Sequence, residues 1–92
     1  MKNKIEEVKV MRVVHYINQF FAQIGGEEAA NAPLEVREGA VGPGKALEIA
    51  FDGKAHIVAT IICGDNNFVE NTDALSSKIE DILKKYKADL LV

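Results

Sequence analysis

The sequence predicts a small α/β fold, a parallel sheet with helices on its faces. Three observations carry that expectation. Two stretches, residues 8–17 and 56–62, are rich in β-branched residues and apolar at both odd and even positions. Strands apolar on both sides belong to parallel sheets covered by helices. A helical apolar stripe follows the second stretch, and a third apolar run follows the helix. The length of 92 residues allows one domain, residues 1–92.

The elements follow in order. Residues 8–17 (VKVMRVVHYI) contain no Gly or Pro, and Val, Met and Ile occupy both parities. Residues 18–24 continue as a helical turn or a loop, and Gly25-Gly26 punctuate the chain. Residues 25–44 hold five of the seven glycines and both prolines, so they read as a long loop. Within it, residues 27–30 form one helical turn and 34–36 a short extended piece. A loop of that length in a compact domain carries function or is disordered.

Residues 44–51 predict a short helix with Pro43 in its first turn and Asp52-Gly53 as its stop. Residues 56–62 (HIVATII) form the second strand and break at Cys63-Gly64-Asp65-Asn66-Asn67. Leu75, Ile79, Ile82, Leu83 and Tyr86 then mark one face of a helix. Asn71, Thr72 or Asp73 can cap its start, and Lys84, Lys85 and Lys87 suit its negative end. Residues 88–92 begin a third strand. The order β-loop-α-β-α-β predicts a three-layer sheet of flavodoxin- or Rossmann-like type, incomplete where the sequence stops in an apolar strand.

Composition excludes several classes. With 48% hydrophobic and 27% charged residues the chain is not a disordered tail. It has no apolar run long enough for a membrane span or a secretory leader, so a cytoplasmic protein is expected. The net charge is −3 and no basic run exceeds Lys84-Lys85, which disfavours nucleic acid as a partner. The single cysteine, Cys63, excludes an internal disulfide and a cysteine metal cluster. No metal site is expected.

Ligands of open α/β folds bind beyond the carboxyl ends of the parallel strands. Those ends carry His15 to Gln19 and Cys63 to Asn67. His15 reads either as a hydrogen-bonded core histidine or as a group that positions a carboxylate or moves a proton. Cys63 reads as a buried thiol, or as a nucleophile if His15 or a helix start lowers its pKa. Asp65 and Glu70 read as helix caps, or as ligands for an amine. Residues 39–46 (GAVGPGKA) approach the phosphate-loop pattern, but Ala46 lacks the hydroxyl and Pro43 removes an amide. A weaker anion site at that helix start stays open.

A family resemblance extends this reading. Residues 12–28 (RVVHYINQFFAQIGGEE), 37–44 (REGAVGPG) and 57–68 (IVATIICGDNNF), with Glu70-Asn71, closely resemble the start of selenoprotein B of glycine, sarcosine and betaine reductases. The resemblance implies an oxidoreductase of anaerobic amino-acid fermentation that reductively cleaves glycine or its N-methylated relatives. It implies other reductase subunits as partners, a selenocysteine far beyond residue 92, and a pyruvoyl group on a partner subunit. No cofactor is expected within these residues, which would form the N-terminal part of a longer subunit and be inactive alone.

On the resemblance, His15, Cys63 and Asp65 are the candidate catalytic residues. Asn18, Gly25, Gly26, Glu27, Gly42, Gly44 and Gly64 are candidates for substrate binding, the glycines by letting backbone approach a ligand closely. Two alternatives stand beside this one. One is a module for subunit assembly, which could pair through its sheet edge into a homo-oligomer. The other is a flavodoxin-like domain that binds an anion or nucleotide at residues 39–45.

Overall fold

The computed structural model describes residues 10–92. The first two positions of the predicted strand 8–17 lie outside the described residues. The strand itself, β1, spans Met11–Asn18. A short 3-10 turn, Glu27–Ala29, is followed by β2, Glu35–Glu38. Then come α1 (Pro43–Ala50), β3 (Ala55–Cys63), α2 (Asp65–Glu70), α3 (Thr72–Lys85) and β4 (Leu90–Leu91).

The strands form one sheet in the order β2-β3-β1-β4. β1 runs parallel to β3 and to β4, as the α/β pattern requires. The extended piece expected at residues 34–36 joins this sheet as β2, antiparallel to β3. The sheet is therefore mixed and four-stranded, rather than parallel and three-stranded. β2 has only four half-buried or exposed residues, too few to show a period in the sequence. An antiparallel edge strand on a parallel sheet is a common arrangement.

Both faces of β1 and β3 are covered. Val14, Ala59 and Ile61 are fully buried on one face and pack with Ile79 of α3. Tyr16, Phe68, Ile82, Leu83 and Tyr86 complete that layer. Residues adjacent in a strand point to opposite sides, so Val13, His15 and Ile17 face the other way. There α1 lies close, with Gly44 against His15 and Ile57. A second cluster of Ile17, Ala22, Ile62 and Val41 fills that side near the strand ends.

A bulge in β3 locks α1 in place. The β1–β3 register slips between Val13 and Val14, leaving Val58 without a partner in β1. Beside this bulge the amide of Ile57 donates to Glu48 Oε1 at 2.7 Å. The same carboxylate oxygen lies 3.1 Å from His56 Nδ1. One acidic side chain thus ties α1 to the strand beneath it.

Local expectations change at the two helix starts and at the last strand. The polar stretch where the second strand breaks is already helical, because α2 begins at Asp65. The residue before it, Gly64, sits at the N-cap, and neither Asp65 nor Glu70 acts as a side-chain cap. Asn71 lies at the N-cap of α3 but makes no capping bond. Because α2 directly precedes it, Asn71 Nδ2 donates back to Asn67 Oδ1 at 2.8 Å, and Thr72 Oγ1 donates to Phe68 O at 2.8 Å. The last strand is shorter than residues 88–92: Ala88 packs against the α3-side core, and only Leu90–Leu91 form β4.

Candidate functional site

The carboxyl ends of β1 and β3 meet because Asn18 is in register with Cys63. Asn18 Nδ2 donates to Asp65 Oδ2 at 3.2 Å, and Asn18 Oδ1 accepts from Phe21 N at 3.0 Å. Gln19, part of the expected polar strand end but not one of its candidate site residues, is the hub of this edge. It is 4% exposed. Its Oε1 accepts from Asp65 N at 3.2 Å, and its Nε2 donates to Gly26 O at 3.2 Å. Its one signal in the sequence was a polar residue next to a buried strand end.

Above these bonds opens a groove of about 450 Å³, lined by His15, Tyr16, Ile17, Asn18, Phe21, Pro43 and Asp65. It brings together three predicted site residues, His15, Asn18 and Asp65. His15 is 9% exposed, and its Nδ1 is buried without a hydrogen-bond partner. Burial pushes its pKa below the ordinary value of 6.5. The expected alternative, a core histidine satisfied by hydrogen bonds, is thus not what the ring does. Asp65 is exposed and faces solvent across the groove.

Cys63 stands apart from this groove. It is fully buried, on the α3 side of β3, where Asn67 Nδ2 approaches its sulfur at 3.7 Å. Burial raises the pKa of the thiol, despite hydrogen bonds from Tyr16 and Asn67. The Tyr16 hydroxyl is pushed up to about 12 by burial and by the neighbouring Cys63. The pair stays protonated at neutral pH, so this arrangement supplies no thiolate. In β1 the strand alternation puts Tyr16 and His15 on opposite faces, which separates the histidine from the thiol.

The candidate glycines mainly serve contacts within the chain. A Cβ at Gly64 would fall 2.3 Å from Ala30 O and 2.5 Å from Ala32 N. This contact seats residues 30–32 on the start of α2, where Ala30 O accepts from Asn66 N at 2.8 Å and Ala32 O accepts from Gly64 N at 3.0 Å. Gly42 has φ +57°, and a Cβ there would meet Phe21 O at 2.6 Å. Gly25, Gly26 and Gly42 line a second, larger groove of about 660 Å³ with Phe20, Phe21 and Pro43. Glu27 is exposed on the 3-10 turn, while its neighbour Glu28 accepts from Gly26 N at 2.8 Å. That bond lowers the Glu28 pKa.

The start of α1 is partly closed to a phosphate. Gly44 N donates to Val41 O at 3.0 Å and Lys45 N to Gly42 O at 3.1 Å. Two of the amides that a phosphate loop would aim at its ligand thus already have partners. Among the described residues no group of three or more His, Cys, Asp or Glu side chains could hold a metal ion. No helix among them is long and apolar enough to cross a membrane.

Comparison with known proteins identifies a family for the chain. Residues 10–92 match the family described as glycine/sarcosine/betaine reductase selenoprotein B. The chain is 52% identical over 85 residues to the sarcosine reductase complex component B subunit beta of Peptoclostridium acidaminophilum, covering 92% of this chain and 20% of that protein. It is 55% identical over 82 residues to the glycine reductase complex component B subunit gamma of Carboxydothermus hydrogenoformans, covering 88% and 19%. It is 36% identical over 81 residues to the betaine reductase complex component B subunit beta of Peptoclostridium acidaminophilum, covering 88% and 18%. The chain thus spans about a fifth of the length of these relatives. No solved structure matches it.

Proposed function

The chain belongs to the glycine/sarcosine/betaine reductase selenoprotein B family, and on that premise we propose that the groove at its strand ends holds a small zwitterionic amino acid. The observation that carries this reading is the pairing of unlike groups across one groove. His15 and the carboxylate-bearing Asp65 line the same groove, with Phe21 and Pro43 in its apolar lining. A zwitterion would place its carboxylate on the histidine and its amine on the aspartate. Asn18 keeps Asp65 oriented for that contact.

Reduction itself is assigned elsewhere. Cys63 is the only cysteine, and its thiol is buried and protonated. It therefore gives neither a selenocysteine nor a partner's pyruvoyl group a sulfur to react with, and no redox step is placed on these residues. Within this proposal residues 1–92 are one α/β domain of a longer cytoplasmic subunit, and the remaining chemistry belongs to the rest of that subunit and its partners.

Calorimetry with glycine, sarcosine and betaine tests the groove. His15→Ala and Asp65→Ala should each weaken binding by about tenfold or more, the size of one hydrogen bond to a charged group. Unchanged affinity in both variants, with unchanged circular dichroism, would remove the assignment.

A second reading has its own observation. Phe20 is 62% and Phe21 52% exposed, edge to face at 5.4 Å, in the lining of the larger groove. Exposed aromatics beside a groove are characteristic of interfaces. The relatives are named as components of complexes, so this edge would dock another subunit. Retention of a component B partner by the chain, lost in a Phe20→Ser variant, with no amino-acid binding, would favour assembly over substrate.

A further inference from the structure

The unpartnered nitrogen of His15 defines what the ring can do. What lies against Nδ1 is Gly44, in the first turn of α1. A Cβ at Gly44 would fall 2.9 Å from Nδ1 and 3.5 Å from Cε1. A Cα–H of Gly44 therefore occupies the direction from which a hydrogen-bond partner would come. The amides of this turn are already bonded, Gly44 N to Val41 O and Lys45 N to Gly42 O. From β3, the residue in register is Thr60, whose hydroxyl donates to Gly39 O at 2.7 Å.

A neutral imidazole carries one N–H. On Nδ1 that N–H would be buried without an acceptor, an arrangement folded proteins almost never keep. A lone pair on Nδ1 facing a C–H is acceptable. The proton therefore belongs on Nε2, the nitrogen left to the groove that His15 lines. Burial, which disfavours the imidazolium, acts in the same direction. The other titratable groups lining the groove are Asp65 of α2 and Tyr16 of β1.

We infer that Gly44 fixes His15 as the neutral Nε2–H tautomer, so that the groove presents a hydrogen-bond donor to an anionic ligand oxygen and not a proton acceptor. The ligand in this statement rests on the groove reading above, while the tautomer does not. Gly44 is then a positioning residue, acting through the ring that it packs against. A side chain at position 44 would tilt the imidazole and reopen the choice of tautomer.

The test is long-range proton–nitrogen correlation NMR on the 15N-labelled chain at neutral pH without ligand. His56, the only other histidine, is assigned with a His56→Asn variant. His15 should show one lone-pair nitrogen at Nδ1 and one protonated nitrogen at Nε2. An Nδ1–H signal, an averaged pair or an imidazolium would overturn the inference. Gly44→Ala should raise the Nδ1–H population, and no change in that variant would remove Gly44 from the role.

Glycine titration then separates the two claims. His15→Gln keeps a donor near Nε2, and His15→Asn does not. Asn should lose about tenfold more affinity than Gln, as expected for one hydrogen bond to a charged group. Equal losses would overturn the donor role. An Nε2–H tautomer with no glycine binding would support the tautomer lock and refute the groove as an amino-acid site.

Discussion

The sheet face under α3 and the carboxyl edge above β1 and β3 are built differently. The α3 face is hydrocarbon: Val14, Ala59 and Ile61 are fully buried against Ile79. The edge is held by polar atoms with fixed partners, Asn18 on Asp65 and Gln19 on both Asp65 N and Gly26 O. Hydrophobic contact is non-directional, so the first region tolerates repacking. Hydrogen bonds and backbone-to-backbone contacts fix geometry, so the second holds a groove in shape. The difference separates what stabilises the molecule from what gives it a site.

The largest expected effect breaks the α3 face. Ile61→Ala removes a fully buried side chain from the centre of that layer. The expected loss is about 2–5 kcal/mol, from lost transfer energy and the cavity left behind. Denaturant unfolding should show a lower midpoint with an unchanged slope. A loss under about 1 kcal/mol would mean that this layer is not the main source of stability.

Gly64→Ala strikes the edge instead. Its Cβ would meet backbone atoms of Ala30 and Ala32, which cannot rotate away. The segment must shift, at about 1–3 kcal/mol, the usual cost of overpacking. The comparison predicts more than a smaller number. Hydrogen exchange should rise first at Gly64, Asn66 and Asn67, whose amides bond to residues 30–32, while α3 stays protected. Uniform loss of protection would show that edge and face unfold as one unit.

The same division explains how much the sequence disclosed. The α3 face was legible because Leu75, Ile79, Ile82 and Leu83 repeat at the helical period, and the parity pattern of β1 and β3 marked a doubly covered sheet. His15, Asn18 and Asp65 were legible as a group because parallel strands gather their carboxyl ends. β2 was not, since a four-residue edge strand has no period to read. Gln19 was not, because its partners lie 7 and 46 residues away. The glycines were recognised as points of close approach, yet Gly42, Gly44 and Gly64 approach the chain's own atoms. That distinction exists only in three dimensions. For Cys63 the buried-thiol reading holds, and only the fold shows that its neighbour is Tyr16.

The smallest expected effect is a slope rather than a step, and it separates the two regions by pH. His15 at the edge has a depressed pKa in the folded chain, so at mildly acidic pH the unfolded chain binds a proton that the folded chain resists. Its contribution is intact above the unfolded value near 6.5 and is lost as pH falls toward the folded value. Tyr16 and Cys63, on the α3 side, have raised pKa values. Both ionise more readily when unfolded, so their contribution is intact in neutral solution and lost as pH rises through and beyond their ordinary ranges. Acid destabilisation therefore belongs to the edge, and alkaline destabilisation to the face beneath α3. His15→Gln, which cannot titrate, should flatten stability below about pH 6.5 and leave the alkaline limb unchanged. Tyr16→Phe should flatten part of the alkaline limb alone. Thermal melts across pH would record both, and an acid limb unchanged in His15→Gln would show that the histidine is not held neutral by its place at the strand end.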